Sequence, residues 1–328
     1  MNTGLARCCA ILCLAALNAQ APSAASETPA VFSDPAAEVR VYKAGPEELV
    51  YTKPAFWATI AKGPRDLRTF TKNSFSKSSL PWLGAITAST LILIEYDQKL
   101  FDGARKAGGK LSISKTDKTK PFLKIGGVPV FRGPTDLGSA IYFLGDGWIS
   151  IGLFAYFETY GRIKDDWRAL TTGHQLMEGL LITGVTTQVM KRVTGRETPG
   201  YATAPRGVWR FSPSFGDFQS GRPRYDAFPS GHLATGVMAV VVLSENYPDK
   251  KLIKPIGYSL LGALSFQMMN NGVHWASDYP LGIGIGYMIG KAITANSGNR
   301  VKKADSALKL YPSIMPGQPP GLTLAYSF

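Results

Sequence analysis

The chain alternates between long apolar stretches and polar connections rich in Gly and Pro. Six apolar stretches follow residue 80, and each is long enough for a helix and too long for an ordinary strand. Pro280 directly follows the start of the last stretch, and Pro248 closes the fourth, as is usual at helix ends. The pattern predicts an all-α fold, a helical bundle of about six helices. The stretches are roughly Leu80–Ile94, Leu137–Phe157, His174–Val193, His232–Tyr247, Ile256–Met269 and Tyr279–Ile293.

Two long connections separate these predicted helices. Lys99–Arg132 is basic and Gly-rich, and Thr194–Phe228 carries many Arg and Pro residues. Loops of this length in a compact domain are usually functional or disordered. In the last apolar stretch, Gly282, Gly284 and Gly286 have no preceding strand. Their spacing therefore predicts close helix packing rather than a dinucleotide-binding loop.

The two ends of the chain differ from its helical middle. Residues 1–25 have a basic residue followed by the short apolar run Cys8–Ala19, which is typical of a signal peptide. Residues 26–79 are polar and predict an arm with one short helix. Residues 80–297 make up the predicted helical domain. The tail, residues 298–328, alternates around a Pro/Gly turn and predicts a small C-terminal β-hairpin.

Composition and charge narrow the class of protein. The chain has 328 residues, of which 45% are hydrophobic, and its mean hydropathy is close to zero. The formal net charge of +13 favours anionic partners such as phosphate esters or anionic lipid headgroups. Nucleic acid is not favoured, because the basic residues are scattered and no binding motif accompanies them. All three cysteines lie in the predicted signal peptide, so we expect neither a disulfide nor a cysteine-based zinc site.

A signal peptide implies export, and we therefore expect the protein in the cell envelope. Several apolar runs are only about 15 residues long, whereas a bilayer crossing needs ~20. Ionisable residues such as His174 and Glu178 also fall within these runs, where burial in lipid is costly. The sequence favours a domain in the periplasm or on the periplasmic face of a membrane, with membrane association. The alternative is a multi-pass inner-membrane protein.

Two of the three histidines lie in segments that suit phosphate chemistry. His232 closes the turn Pro229-Ser230-Gly231-His232 at the start of the fourth predicted helix, and a helix amino terminus favours a phosphate. His274 precedes Asp278 by four residues. In a helical turn the carboxylate can hold one ring nitrogen and leave the other free as a nucleophile or base. Lys191 ends the third predicted helix, where a cation can face a phosphate.

The order of these segments resembles the three-part signature of a known superfamily. The pattern is similar to that of type 2 phosphatidic acid phosphatases and vanadium haloperoxidases. Its three segments are Lys191 to Pro199, Pro229 to His232, and His274 with Asp278. The resemblance covers about Thr171 to Ile293. It implies a helical bundle whose three segments meet around one phosphate.

The resemblance also implies a role for each matching residue. His274 is expected to attack phosphorus and form a phosphohistidine, which water then hydrolyses. Asp278 is expected to orient His274, and His232 to protonate the leaving alcohol. No metal site and no cofactor are implied. The residues expected to bind phosphate oxygens are Lys191, Ser230 and Gly231.

Two positions depart from the signature. Thr198 and Met268 stand where the superfamily carries arginines. Both missing side chains would bind phosphate through two charge-assisted hydrogen bonds, so other groups must neutralise the transition state. Arg196 is the predicted replacement, because it is two residues from the first vacant position. Further candidates are Arg192, Arg206, Arg210, Arg222 and Arg224, with Asn270 and Asn271 as neutral donors.

The predicted function is that of an exported, metal-independent phosphatase. Its substrate would be a phosphomonoester or pyrophosphate, and the sequence leaves open whether this is a lipid or a small ester. A non-catalytic phosphate-binding or envelope scaffold is the alternative, which Thr198 and Met268 favour. A haloperoxidase is the least favoured hypothesis, because the missing arginines would also hold vanadate.

Overall fold

The computed structural model describes residues 38–45, 47–221, 224–297, 300–301, 308–313 and 321–326. These residues are mostly helical, which confirms the predicted fold class in its broad form. Nine α-helices lie within the described ranges. They are α1 Phe56–Ser74, α2 Leu80–Lys110, α3 Leu137–Phe143, α4 Gly147–Lys164, α5 Trp167–Thr194, α6 Phe215–Ser220, α7 Gly231–Asn246, α8 Ile253–Asn271 and α9 Tyr279–Asn296.

The described strands are short and all pair antiparallel. One sheet has the order β1-β2-β5, a second joins β3 to β4, and a third joins β6 to β7. The turn between β6 and β7 lies outside the described residues, as does the predicted signal peptide, so the C-terminal hairpin stays a prediction. The strands are β1 Val39–Ala44, β2 Glu47–Thr52, β3 Thr119–Ile125, β4 Val128–Pro134, β5 Arg300–Val301, β6 Leu308–Ser313 and β7 Gly321–Tyr326.

The second predicted helix is divided into α3 and α4, which meet at a bend of 67°. Asp146 begins α4 by accepting a hydrogen bond from the backbone N–H of Trp148 at 2.9 Å. At Gly145 a Cβ atom would lie 2.6 Å from the Cβ of His232. A residue without a side chain therefore lets the chain pass close to the start of α7. This break, together with α1 and the short α6, accounts for nine helices instead of about six.

Two segments contain more regular structure than predicted. The polar segment 26–79 includes β1, β2 and the 19-residue α1 rather than one short helix. The prediction of a loop over Lys99–Arg132 is wrong for most of its length, because α2 continues to Lys110 and β3 pairs with β4. The β1–β2 pair packs on the start of α5. The buried residues of that contact are Ala44, Leu49, Tyr51, Trp167 and Leu170.

α7 is the central helix of the bundle and packs against α5, α8 and α9. Its buried residues lie on every side of the helix, which fits a run of Val, Ala, Leu and Met with few polar positions. One side of α7 joins α5 and α9 through Met238 and Ile289, and another joins α8 through Val237 and Leu264. The turn Pro229–His232 at the start of α7 is therefore fixed by the core of the bundle.

The glycines of α9 allow it to approach α7 closely, as predicted from their spacing. A Cβ atom at Gly286 would be 2.1 Å from the carbonyl oxygen of Ala234, and one at Gly282 would be 2.7 Å from that of Ser230. Gly284 faces Ile86 of α2 instead. The prediction of helix packing at this segment is confirmed.

One helical segment among the described residues, Lys77–Lys110, is long and apolar enough to cross a membrane. The bent pair formed by α3 and α4 would be a second such segment if it acts as one broken span. By length and composition, these helices are weak evidence for membrane association.

Candidate active site

His274 and Asp278 form a buried pair between α8 and α9. Helix α8 ends at Gly272, whose φ of +76° turns the chain out of the helix, and a short 3-10 turn leads into α9. The Nδ1 atom of His274 lies 3.3 Å from Oδ2 of Asp278. The same carboxylate oxygen accepts the N–H of Trp275 at 2.7 Å. The Nε2 atom of His274 is buried and has no hydrogen-bond partner among the described residues.

His232 faces this pair from the first turn of α7. Its ring centroid is 6.0 Å from that of His274, with the planes 73° apart, and 4.8 Å from that of Tyr142 in α3. Burial lowers the pKa of His232 to about 3, with smaller contributions from the positive charges of His274 and Lys191. The residue as a whole is partly exposed. His232 is therefore neutral at ordinary pH in this structure.

Lys191 reaches the start of α7 from the last turn of α5. A Cβ atom at Gly231 would lie 3.7 Å from the Nζ atom of Lys191, so the ammonium group is beside that glycine. Nζ donates to Oδ2 of Asp226 at 2.9 Å, while Oδ1 of Asp226 has no partner among the described residues. Lys191 is almost fully buried, and the pairing partly neutralises it.

Ser230 holds the start of α7 against the His274 segment. Its backbone N–H donates to the carbonyl oxygen of Asp278 at 3.0 Å, and its hydroxyl accepts the N–H of Leu233 at 3.4 Å. The hydroxyl also lies 3.6 Å from the sulfur of Met268. An uncharged thioether therefore contacts Ser230 at the position where the superfamily signature has an arginine.

Arg196 is fully buried and bonds to carboxylates. Its Nη1 atom donates to Oδ1 of Asp278 at 2.5 Å, and Nη2 donates to Oδ2 of Asp97 at 2.6 Å. The rings of Trp209 and Trp275 flank the guanidinium at 4.8 and 5.5 Å. These contacts favour a role in positioning Asp278, and phosphate binding by Arg196 stays a prediction.

Asp97 of α2 completes a buried chain that ends at His274. It accepts hydrogen bonds from the backbone N–H of Ser277 at 3.0 Å and from the Ser277 hydroxyl at 2.5 Å, besides the bond from Arg196. Burial raises the pKa of Asp97, and Arg196 opposes this effect. The sequence analysis missed Asp97 and Asp226. Two features of the sequence could have pointed to them: Asp97 is a carboxylate inside an apolar helix, and Asp226 is a carboxylate three residues before Pro229.

The other candidate arginines have partners outside the motif residues. Arg206 bonds to Glu95 at 2.5 Å, and Arg224 lies 4.0 Å from Glu197. Arg192 stacks over the rings of Phe215 and Phe218. Arg210 and Arg224 line an open groove of about 510 Å³ in the loop before α7. Arg222 lies outside the described residues.

The arrangement agrees with a comparison against protein families. Residues 173–302 match the model of the PAP2 superfamily, and this range includes all three motif segments. Residues 173–302 form a PAP2 superfamily domain. The resemblance predicted from the sequence is thereby confirmed, and a phosphatase-type function follows in general terms for the PAP2 domain.

Two solved structures are similar to the chain. LpxE from Aquifex aeolicus is 19% identical, with a TM-score of 0.34, and the match covers 47% of this chain and 80% of LpxE. A transmembrane PAP2-type phosphatidylglycerolphosphate phosphatase from Bacillus subtilis is 16% identical, with a TM-score of 0.41, covering 64% of this chain and 92% of that one. Among curated proteins, none matches the chain.

The PAP2 domain thus brings together an unpaired imidazole nitrogen, a second imidazole, an ammonium group and a helix amino terminus. Such a set can bind a phosphate, attack it and protonate what leaves. The third histidine of the chain takes no part, since His174 pairs with Glu158 of α4 at 3.1 Å.

Proposed function

We propose that the chain is an exported, metal-independent phosphatase that hydrolyses a phosphomonoester or a pyrophosphate through a phosphohistidine on His274. The observation that carries this proposal is the buried Nε2 atom of His274, which lacks a partner among the described residues while Asp278 holds the opposite nitrogen. An imidazole fixed in this way has its lone pair directed away from Asp278. A nucleophile poised like this suits attack on phosphorus.

In the first step, Nε2 of His274 forms a bond to phosphorus as the bond to the leaving oxygen breaks. His232 gives its proton to that oxygen, so the product leaves as a neutral alcohol. The buried Asp278 stabilises the charge on the phosphorylated imidazole. Lys191 and the N–H groups at the start of α7 bind the phosphate oxygens. The attraction between these donors and the negatively charged oxygens stabilises the phosphoryl group during transfer.

In the second step, water attacks the phosphohistidine. His232, now neutral, takes a proton from the water, and the bond between phosphorus and Nε2 breaks to release inorganic phosphate. The cycle returns the proton to His232. Burial lowers the pKa of His232 to about 3, so the substrate's negative charge must favour the protonated form, as nearby anions do.

The substrate class and the location belong to the same proposal. A phosphorylated lipid or a small phosphate ester would both fit the motif, and the predicted signal peptide favours the periplasm or its membrane face. Apolar residues on the exposed side of α5 support membrane association, because a continuous exposed apolar ridge usually marks a membrane or protein contact. These residues are Leu181, Val185, Val189 and Val193.

The test is phosphate release by the purified full chain with EDTA present, using p-nitrophenyl phosphate, phosphatidic acid and undecaprenyl pyrophosphate. We expect release from at least one substrate and its loss in His274→Ala. Release that persists in the variant would overturn the histidine mechanism, and release that EDTA abolishes would overturn metal independence. The ranking of substrates separates lipid from soluble chemistry.

The second candidate is a phosphate-binding scaffold without turnover. Two contacts favour this scaffold: Met268 lies against Ser230, and Asp226 pairs with Lys191. Each of them reduces the positive charge that is available to a phosphoryl transition state. This candidate predicts that the wild-type chain binds inorganic phosphate in calorimetry while releasing none from any of the three substrates.

A further inference from the structure

The β3–β4 hairpin projects from the bundle with an apolar tip. Every residue from Lys120 to Val130 is exposed, including Ile125 and Val128, each 64% exposed, which pair with each other across the turn. Gly126 and Gly127 form that turn with φ of +57° and +82°, the combination that a tight hairpin of two turn residues requires. The other exposed apolar side chains are Phe122, Leu123 and Val130.

Basic residues surround this tip, and the segment has no acid. Between Lys118 and Arg132 the sequence carries four cations and no aspartate or glutamate. Lys118 and Arg132 lie at the base of the hairpin, where Lys118 is 3.8 Å from Asp136. Lys120 and Lys124 flank the apolar residues on β3, and both are exposed. An apolar tip with a basic collar is the combination that binds the interface of an anionic membrane.

The base of the hairpin is fixed while its tip is not packed on the bundle. The ring of Phe131 lies 5.3 Å from that of Trp148 and 6.1 Å from that of Phe143. The hydroxyl of Ser139 accepts the backbone N–H of Lys118 at 2.7 Å. A two-stranded hairpin is only marginally stable in water by itself, so a projecting apolar tip is best explained by a partner that covers it.

We infer that the β3–β4 hairpin inserts its tip into the surface of a bilayer that contains anionic lipid. The charge of the collar matches anionic headgroups, and the narrow tip suits shallow insertion. A stable protein interface buries about 800 Å² on each partner, which a tip of a few residues does not provide. Because α3 carries Tyr142 against His232, the inserted hairpin would hold the active-site end of the bundle next to the lipid surface.

The test places a nitroxide spin label at the tip, through Val128→Cys in a full chain whose Cys8, Cys9 and Cys13 are replaced by serine. The protein is incorporated into vesicles of phosphatidylcholine with or without phosphatidylglycerol. Collision of the label with oxygen, which concentrates in lipid, is compared with collision with a water-soluble nickel complex. The matched control is a label at Val41→Cys, an exposed apolar position on β1.

We expect the label at residue 128 to change from nickel-accessible to oxygen-accessible when phosphatidylglycerol is present, and the label at residue 41 to stay nickel-accessible. Replacing Lys120 and Lys124 with glutamine should reverse the change at residue 128. A label that stays nickel-accessible in both vesicles would overturn the inference. So would a label protected from both reagents, which would indicate a protein partner or a second copy. The measurement uses no activity, so its outcome does not depend on the proposed phosphatase reaction.

Discussion

At the scale of single residues, Asp97 acts on the proposed reaction from far outside the motifs in sequence, because it shares Arg196 with Asp278. We expect Asp97→Asn to lower kcat by up to about 10²-fold with little change in KM, because Arg196 would then bind Asp278 without competition and displace it from His274. Steady-state kinetics measure this. Asp102→Asn, an exposed change on the same helix, serves as the control. Equal loss in both variants would contradict a positioning role.

His232 gives a second prediction at this scale. Because burial lowers its pKa to about 3, the proton needed by the leaving group is scarce at neutral pH. We therefore expect kcat/KM to fall as pH rises from 5 to 8. His232→Gln should lower kcat by about 10²–10⁴-fold for an alkyl phosphate. The loss should be smaller for p-nitrophenyl phosphate, whose leaving group needs no proton. Equal losses for both substrates would argue against proton donation by His232.

The motif residues can be recognised in the sequence because the spacing within each motif is local. Within the turn Ser230–His232, and within the pair His274/Asp278, the residues are only a few positions apart. The structure then brings the two motifs together, because the N–H of Ser230 donates to the carbonyl oxygen of Asp278. Asp97 could not be found in this way, since about a hundred residues separate it from Arg196. Proximity in sequence also suggested that Arg196 fills the position of the missing arginine. Its buried partners, Asp97 and Asp278, instead determine where the guanidinium lies.

At the scale of elements, the contact between α7 and α9 supports the site. We expect Gly286→Ala to destabilise the fold by roughly 1–3 kcal/mol, because the new methyl group would meet the carbonyl oxygen of Ala234. Gly262→Ala in α8 is the matched control, since nothing lies within 4 Å of its Cβ position, and it should stabilise by about 0.5–1 kcal/mol. Urea denaturation measures both. Equal effects would mean that α9 can move away from α7.

The helices are predictable as elements, whereas the small sheets are less so. Apolar periodicity locates the six main helices, but it does not extend α2 through the Gly- and Lys-rich segment ending at Lys110. The β3–β4 hairpin carried a usable signal in Ile125-Gly126-Gly127-Val128, a Gly-Gly turn between β-branched residues. Composition alone assigned that segment to a basic loop.

At the scale of the whole molecule, the buried carboxyl group of Glu178 in α5 bonds to Asp66 of α1. Burial, and then the neighbouring Asp66, raise the pKa of Glu178 from 4.5 to about 9, while Lys62 and Arg65 oppose this shift. The folded state therefore keeps the proton that the unfolded chain releases above pH 4.5. The contribution of this group to stability is fully present below pH 4.5 and is lost as pH rises towards 9.

Glu178→Gln should remove this dependence. We expect the variant to be more stable than the wild type by roughly 1–3 kcal/mol at pH 8 and nearly equal at pH 4.5, because glutamine mimics the protonated acid. Chemical denaturation at the two pH values measures the difference. Glu38→Gln, at an exposed position, should give no gain at either pH. A gain for Glu178→Gln that is the same at both pH values would rule out titration as the cause.

The chain holds six tryptophans, and the rings of two of them, Trp209 and Trp275, lie close to the guanidinium of Arg196. Trp275 directly follows His274 in sequence, and its backbone N–H donates to Asp278. Its indole N–H donates to the carbonyl oxygen of Glu197, and its ring is buried against Phe101. The emission of these indoles therefore responds to the charge state of the surrounding groups. Occupation of the site becomes visible as a spectral change in the unlabelled protein, even for a ligand that is never turned over.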